Sequence, residues 1–385
     1  MNNKNKVDKK SIIHRIKEAR QHQNITQEDL AKKAGLSSNQ VVSQIENESR
    51  NIRADELFKI ANALHVDMSS LMKPNSALVK PVVFWRNAPP SNAKIIEADL
   101  VEKCRRYSNL EKLCGYSSNK FFPKFDVKLL DLNYKNIHEL ADEVSKTMDL
   151  GCRPASSLAH VLDDKYSVRI FYNDLTEGSA AATSCDYGNA ILINGKEPPW
   201  RRNFDFAHEL FHLVTWSATM QLMENCDKDS INKVEKFANK FAACLLMPEA
   251  YLNDELDRQI GDKQKVSYLD LINLARTFEV SLDALLWQLL NIDRLKLDSF
   301  ERLRKDKIFK DLDRESLKGK WSAPAKKMPF RYVELAYTAY KKGKVSKMKL
   351  AEYLSCGLLD IDSILEEYGI VETDNDETEI TFIGR

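Results

Sequence analysis

Between residues 11 and 71 the apolar positions recur at three- and four-residue steps, broken at short intervals by polar turn residues, a pattern that predicts five short helices. Ile12, Ile13, Ile16 and Ala19 make one face of the first. Thr26 opens the second, with Leu30 and Ala31 inward, and Asp29 three positions on completes a capping-box pattern. Gly35 supplies a tight turn, and Ser37 with Gln40 predicts another capping box for a third helix whose Val41, Val42 and Ile45 face inward. Ser38, Asn39, Gln40, Ser43 and Gln44 are left outward, and Asn47 is the residue expected to turn left-handed at its end.

The pattern then changes. Residues 73–94 hold four prolines and little helical period, so they read as a connector with one short strand at Val82 to Trp85. Helical period returns over 94–115 and 137–149, where Gly151 offers a stop. Three short β-branched or small-residue runs between 167 and 194 predict a small antiparallel sheet. Two strongly apolar helices follow, FDFAHELFHL at 204–213 and VEKFANKFAACLLMP at 234–248. In the second, Phe237, Phe241 and Leu245 repeat at four-residue steps, Ala238 and Ala242 allow close helix approach, and Pro248 marks the end. Residues 295–327 are dominated by charge and read as an exposed helix or connector; from Pro329 a small helical unit is expected, and the acidic tail ends in one edge strand.

Composition narrows the class. At 385 residues the chain suggests two or three folded units, and 43% hydrophobic with 30% charged residues is a globular balance. The net charge is +1, but residues 1–74 carry 13 Lys and Arg against 9 Asp and Glu, which permits a nucleic-acid partner at that end. No run approaches the roughly 18 apolar residues of a membrane span, and no signal-peptide pattern follows the basic opening. The seven cysteines are scattered and never paired as CxxC, which argues against a disulfide framework and a cysteine zinc site and favours a reducing cytoplasm.

The chemistry concentrates in HELFH. His208 and His212 stand four apart around Glu209, and on a helix that spacing turns by only about 40°, so both imidazoles project toward one ion. Zinc is the natural candidate, with room for a third ligand and a water. Glu209 is placed to take a proton from that water and return it to a leaving amine. Phe204, Phe206, Ala207, Leu210, Phe211 and Leu213 predict a helix buried on most sides. Glu235, opening the second apolar helix, is the leading third ligand, with Glu224, Cys226 and Asp227 as rivals. His160, Arg201 and Arg202 read as ordinary surface or core residues.

Two stretches carry family resemblances. ITQEDLAKKAGLSSNQVVSQIEN resembles the helix-turn-helix of the XRE/Cro-repressor family, and LFKIANALHVDMSSLM is similar to its fourth and fifth helices. The resemblance implies a lambda-repressor-like domain over 1–74 that binds double-stranded operator DNA as a homodimer. Gln27 would then anchor a phosphate, Ser38, Asn39, Gln40 and Ser43 would face bases with Ser37 beside them, and Arg50 and Arg53 would suit phosphates. Where the family often has Gly and then Pro after the recognition helix, this chain has Glu48 and Ile52.

RRNFDFAHELFH followed by E-x-x-A-N-x-F-A-x-x-L-L-M-P resembles the ImmA/IrrE family of zinc metallopeptidases. It implies a zincin-like domain over 137–294, with His208, His212 and Glu235 as zinc ligands, Glu209 as general base, and Asn239 behind them at most. Phe211 stands where many members have Gly and is expected to narrow the substrate cleft; Asp205 stands where many have Thr. Residues 75–136 are left as linker and connecting helix, and 295–385 as charged connector and small helical subdomain.

The fold expected is therefore mainly α with a small β-sheet, of the α+β class. The function expected is a cytoplasmic DNA-binding regulator whose endopeptidase domain cleaves a repressor-type protein, or its own chain between the domains, in a stress- or phage-related response, with no membrane partner. The alternative is a non-catalytic transcription factor whose metal pocket senses a metal, a ligand or a peptide.

Overall fold

The computed structural model describes residues 9–370 apart from 24, 65, 67, 69–70, 72–81, 117–120, 226–227, 262–265 and 318–324. These residues are mainly helical around one four-stranded sheet, as the sequence predicts. They form two units, Met1–Arg105 with Ser118–Lys327, and Arg106–Ser117 with Met328–Arg385.

In the first unit the opening helices are α1 (Lys9–His22), α2 (Gln27–Lys33), α3 (Asn39–Glu46) and α4 (Ala54–Ala63). Ile16, Leu30, Val42, Ile45, Ile60 and Leu64 are fully buried in their shared core, each at a position with helical period. The Thr26 hydroxyl accepts from the Asp29 amide at 3.1 Å, closing the expected capping box. The box expected from Ser37 does not form. The chain is still extended at Ser38, so the helix begins one residue later, with Ser38 at the cap position and no side-chain cap bond. Likewise Glu48, not Asn47, takes the left-handed conformation after α3, because that conformation belongs one residue beyond the cap. Beneath α3, Glu46 is buried and accepts from Arg20 at 2.6 and 2.8 Å, and from Gln27 at 2.8 Å. Burial alone would raise that carboxyl, but these donors hold it below its ordinary value. The expected fifth helix falls on a stretch of which 67, 69 and 70 lie outside the described residues; Leu71 at its end is buried in the same core.

The sheet comprises β1 (Val83–Arg86), β2 (Arg169–Asn173), β3 (Ala180–Cys185) and β4 (Gly188–Asn194), ordered β1-β3-β4-β2. β1 and β4 both pair antiparallel with β3, but β2 pairs parallel with β4, so the sheet is mixed rather than antiparallel. The reason is topological: β2, β3 and β4 alternate in direction along the chain, and β2 lies beside β4 instead of β3. The crossing segment is tied down by buried Asn194, whose amide donates to Gly178 O at 2.9 Å and whose oxygen accepts from Lys196 N at 3.1 Å.

Between the strand β1 and the rest of the sheet the chain forms α5 (Ala93–Cys114), α6 (Tyr134–Met148) and α7 (Pro154–His160). Asp149, left-handed, ends α6, two residues before the glycine expected to do so. After β4 come α8 (Pro199–Val214), α9 (Trp216–Asn225), α10 (Lys228–Leu246), α11 (Glu249–Ile260), α12 (Tyr268–Thr277) and α13 (Leu282–Asn291). α8 packs on β3 and β4 with one side and on α10 with the other. Ala238 and Ala242 are fully buried there, allowing the two helices to approach closely.

The charge-rich stretch after 295 contributes α14 (Leu297–Lys305) and α15 (Lys307–Ser316). Their charged faces are outward, but Phe300, Leu303 and Phe309 join the same core as α8 and α10. The Tyr268 hydroxyl donates to Asp306 at 2.6 Å, and Arg276 pairs with Asp313. The second unit holds the end of α5 with α16 (Phe330–Lys341), α17 (Lys347–Leu354) and α18 (Ile361–Glu367), built around buried Tyr107, Tyr332 and Tyr353. The strand expected in the acidic tail lies outside the described residues.

Phe211 contradicts its sequence expectation. Its ring is fully buried, 5.5 Å from the Phe241 ring, so it fills the core between α8 and α10 and lines no cleft. Phe211→Ala is expected to cost about 3–5 kcal/mol, the range for emptying a buried phenyl site. Urea denaturation reads this as a lower midpoint at unchanged slope; a loss under about 1 kcal/mol would contradict a core role.

Candidate metal centre

α8 starts cleanly because Pro198 and Pro199 suit the first turn, where no amide partner is needed. From Asp205 to Val214 every residue is buried. His208 and His212 therefore project side by side from the buried part of the helix, and Glu235, near the middle of α10, reaches across to them. The three form one group whose ligand atoms lie within 4.8 Å of one another.

The separations are informative. His208 Nε2 is 3.2 Å from Glu235 Oε2, His212 Nε2 is 3.3 Å from Glu235 Oε1, and the two Nε2 atoms are 3.3 Å apart. Ligand atoms about 2.0–2.1 Å from a zinc ion at tetrahedral angles stand about 3.3 Å from one another. The other ring nitrogen of His208 lies 3.1 Å from Asn239 Oδ1. An amide oxygen only accepts, so the His208 proton sits on Nδ1 and its Nε2 presents a lone pair to the centre. Burial, only partly opposed by Glu235, lowers the His208 pKa to about 4, which keeps the ring neutral near pH 7. Burial would raise Glu235, but its two histidine contacts hold it well below the ordinary carboxylate value. Three lone-pair donors thus face a single point, the arrangement a divalent cation fits.

Glu209 is placed differently. It is fully buried, and neither of its carboxyl oxygens has a hydrogen-bond partner. Burial first, then the negative charges of Glu235 and Asp205, push its pKa well up. Asp205, one turn earlier on α8, pairs with Arg86 of β1, and the Arg86 guanidinium lies 5.1 Å above the Phe204 ring. Phe84, also on β1, stacks on the His212 ring at 5.6 Å with planes 8° apart and meets the Trp216 ring edge-on at 5.3 Å.

From the predicted set the structure brings together His208, His212 and Glu235, with Glu209 fully buried beside His208 along α8. Among the rival third ligands, the side chains of Glu224, Cys226 and Asp227 lie outside the described residues. Arg201 pairs with Glu197 at 3.3 Å and Arg202 lies over the Tyr172 ring at 5.9 Å, while His160 is exposed at the end of α7. Sequence reasoning gave no role to Phe84, Arg86 or the Asp205 partner; Arg86 is 119 residues from Asp205, and no local spacing signals such a contact.

The predicted DNA-facing residues occupy the start of the third helix and its surroundings. Ser37, Ser38, Asn39, Gln40 and Gln44 are exposed and Ser43 half-exposed. Gln27 turns its amide toward Glu46, and Arg50 pairs with Glu56. Arg53 is exposed, 3.2 Å from Asp55.

Comparison with known proteins agrees with both halves of this picture. Residues 16–71 match the helix-turn-helix family model, and residues 163–289 match the model of the IrrE N-terminal-like domain, peptidase family M78. The chain thus joins a DNA-binding type of domain to an IrrE-like peptidase domain. No curated protein matches it. Among solved structures, Bacillus thuringiensis PlcR in complex with the peptide PapR7 and DNA aligns over 94% of this chain and 97% of its own, at 13% identity and a TM-score of 0.16, a likeness too low to carry an argument. Among the described residues no helix is long and apolar enough to cross a membrane.

Metal content tests the site directly. Purified His208→Ala, His212→Ala and Glu235→Ala variants are each expected to lose stoichiometric zinc by mass spectrometry. Asn239→Ala is expected to bind but about 10–100-fold more weakly, as removal of a ligand's supporting partner does. Full zinc occupancy in a histidine variant would show that the metal sits elsewhere.

Proposed function

We propose that this chain is a cytoplasmic DNA-binding regulator with a zinc-dependent endopeptidase, a DNA-reading module ending near residue 74 and a metal-binding module over 137–294. The observation that carries the reading is a fully buried carboxylate without a partner, Glu209, next in sequence to one of three converging lone-pair donors and near enough to feel the Glu235 charge. His208, His212 and Glu235 would hold the zinc. When bound, the ion polarises a substrate carbonyl and makes a water acidic enough to be used near neutral pH.

The remaining work falls to the chain's own groups. Glu209, with a pKa raised by burial, accepts a proton from the attacking water and returns it to the nitrogen of the breaking peptide bond. Asn239 fixes the His208 ring through Nδ1, so the ring cannot turn its lone pair away. Burial of α8 from Asp205 to Val214 keeps bulk water from the two histidines and Glu209, which strengthens each of these electrostatic effects.

On the other module, Ser38, Asn39, Gln40 and Ser43 read base edges, with Gln27, Ser37, Arg50 and Arg53 near the phosphates. A homodimer on a two-fold operator fits this mode of reading. The substrate is a repressor-type protein or this chain itself between its domains, and its cleavage changes transcription in a stress- or phage-related response.

Comparison of newly formed protein N-termini in cells expressing the wild type or Glu209→Gln, with and without DNA damage or phage challenge, tests the peptidase. A terminus present only with intact Glu209 is the expected result. Its absence under all conditions, with both proteins folded and zinc-loaded, would favour a sensor whose pocket binds metal without cleaving. Gln40→Ala is expected to lose about 1–3 kcal/mol of preference at one operator position. Arg53→Ala should instead weaken binding evenly and flatten its salt dependence, both measurable by fluorescence anisotropy on operator variants.

A further inference from the structure

β1 has an unusual position for a piece of connector. It follows the helix-turn-helix domain in sequence, and the match to the peptidase domain begins only at residue 163. Yet it is the outermost strand of the peptidase sheet, hydrogen-bonded to β3 alone. Its register sets Phe84 opposite Ala182 and Arg86 opposite Ala180, and residues 180–182 of β3 are all alanines, fully buried. These small residues leave room for large side chains on the neighbouring strand.

The contacts of β1 reach both ends of the metal helix segment. Phe84 lies flat on His212, and Arg86 pairs with Asp205, one turn before His208. Beyond its ladder with β3 and the burial of Phe84 in the core, three polar ties hold the strand: Thr183 donates to Val82 O at 2.7 Å, Ser179 N to Arg86 O at 3.2 Å, and Trp85 to Glu97 at 3.0 Å. An extended peptide must bring its backbone past His212 and Glu209. β3, which packs along α8, offers the ladder for it, and β1 already occupies that ladder.

We propose that β1 is an internal stand-in for substrate. The strand Val83–Arg86 fills the part of the β3 edge that passes the metal centre, and the same edge takes an extended peptide carrying an aromatic residue and, two positions on, an arginine or lysine. The aromatic side chain replaces Phe84 between His212 and Trp216, and the cation replaces Arg86 on Asp205. The chain is thereby inactive toward poor matches, because a competing strand lacking either contact leaves Asp205 or the His212 face uncovered. The proposal rests on reading the His-His-Glu group as a peptidase centre.

The test uses the full-length, zinc-loaded chain carrying Glu209→Gln, so that binding is measured without cleavage. The probe is a fluorescein-labelled peptide of residues 80–89, KPVVFWRNAP, followed by anisotropy. Adding Arg86→Ala to the protein, which weakens its own strand, is expected to tighten peptide binding about tenfold, the scale of one charge-assisted hydrogen bond. The same peptide with glutamate in place of its arginine should lose that gain. Equal binding with and without Arg86→Ala, or no binding to either, overturns the proposal. A second measurement needs no variant: in unaltered protein the amides of 83–86 should exchange with deuterium well before those of 191–193 in β4. Exchange of both only on global unfolding would make β1 a fixed structural strand. Binding that responds to Arg86→Ala, together with no cleavage of any protein by the chain with Glu209 intact, would retain the stand-in strand and reject the peptidase reading, and cleavage without that response would do the reverse.

Discussion

Three lone-pair donors held about 3.3 Å apart in a buried pocket repel one another unless a cation lies between them, and most of the first unit is arranged to impose that proximity. The histidine spacing on α8 supplies two donors at no conformational cost, because the helix has already fixed their relative direction. The third must come from a different helix at close range. Ala238 and Ala242 on α10 permit it, and Phe211 against Phe241 fills the remaining volume so that neither helix can slide. Asn239, four residues after Glu235, takes the back of the His208 ring. The same helix that brings the carboxylate therefore also fixes the orientation of its neighbour.

The sheet completes this constraint from the other side. β3 and β4 cover α8, and their buried alanines and aliphatics exclude water from the helix carrying the histidines. Asn194 closes the loop between β2 and β3 by donating to the carbonyls of Leu175 and Gly178, which satisfies two polar groups at the crossing. Arg86 and Phe84 then add long-range contacts from a sequence neighbour of the DNA-binding type of domain to α8.

What could be read from sequence was what is local. The Thr26 box and the HELFH spacing depend on residues within one turn of each other, so the chain text carries them almost whole. Glu235 was legible because an acid breaks the apolar face of a second periodic helix. The failures have the same explanation in reverse. Ser37 and Ser38 are equally good caps by type, and only the extended backbone at Ser38 decides between them. Strand direction in the sheet depends on which neighbour β2 finds, a tertiary outcome. Phe211 was misread because a helix with apolar residues on every side does not announce which of them faces another helix and which faces a cleft. The Arg86–Asp205 pair joins residues with no shared local pattern at all.

Glu209 bears on the choice between enzyme and sensor in energetic terms. Burying a carboxylate without hydrogen bonds costs several kcal/mol or forces it to take up a proton, and a fold that only had to hold a metal would gain stability by replacing it with an apolar residue. His208, by contrast, is supported by Asn239 through its second ring nitrogen. Leaving both Glu209 oxygens without partners, next to His208 on the same helix, is a local cost that a proton-transfer role accounts for and a purely structural role does not.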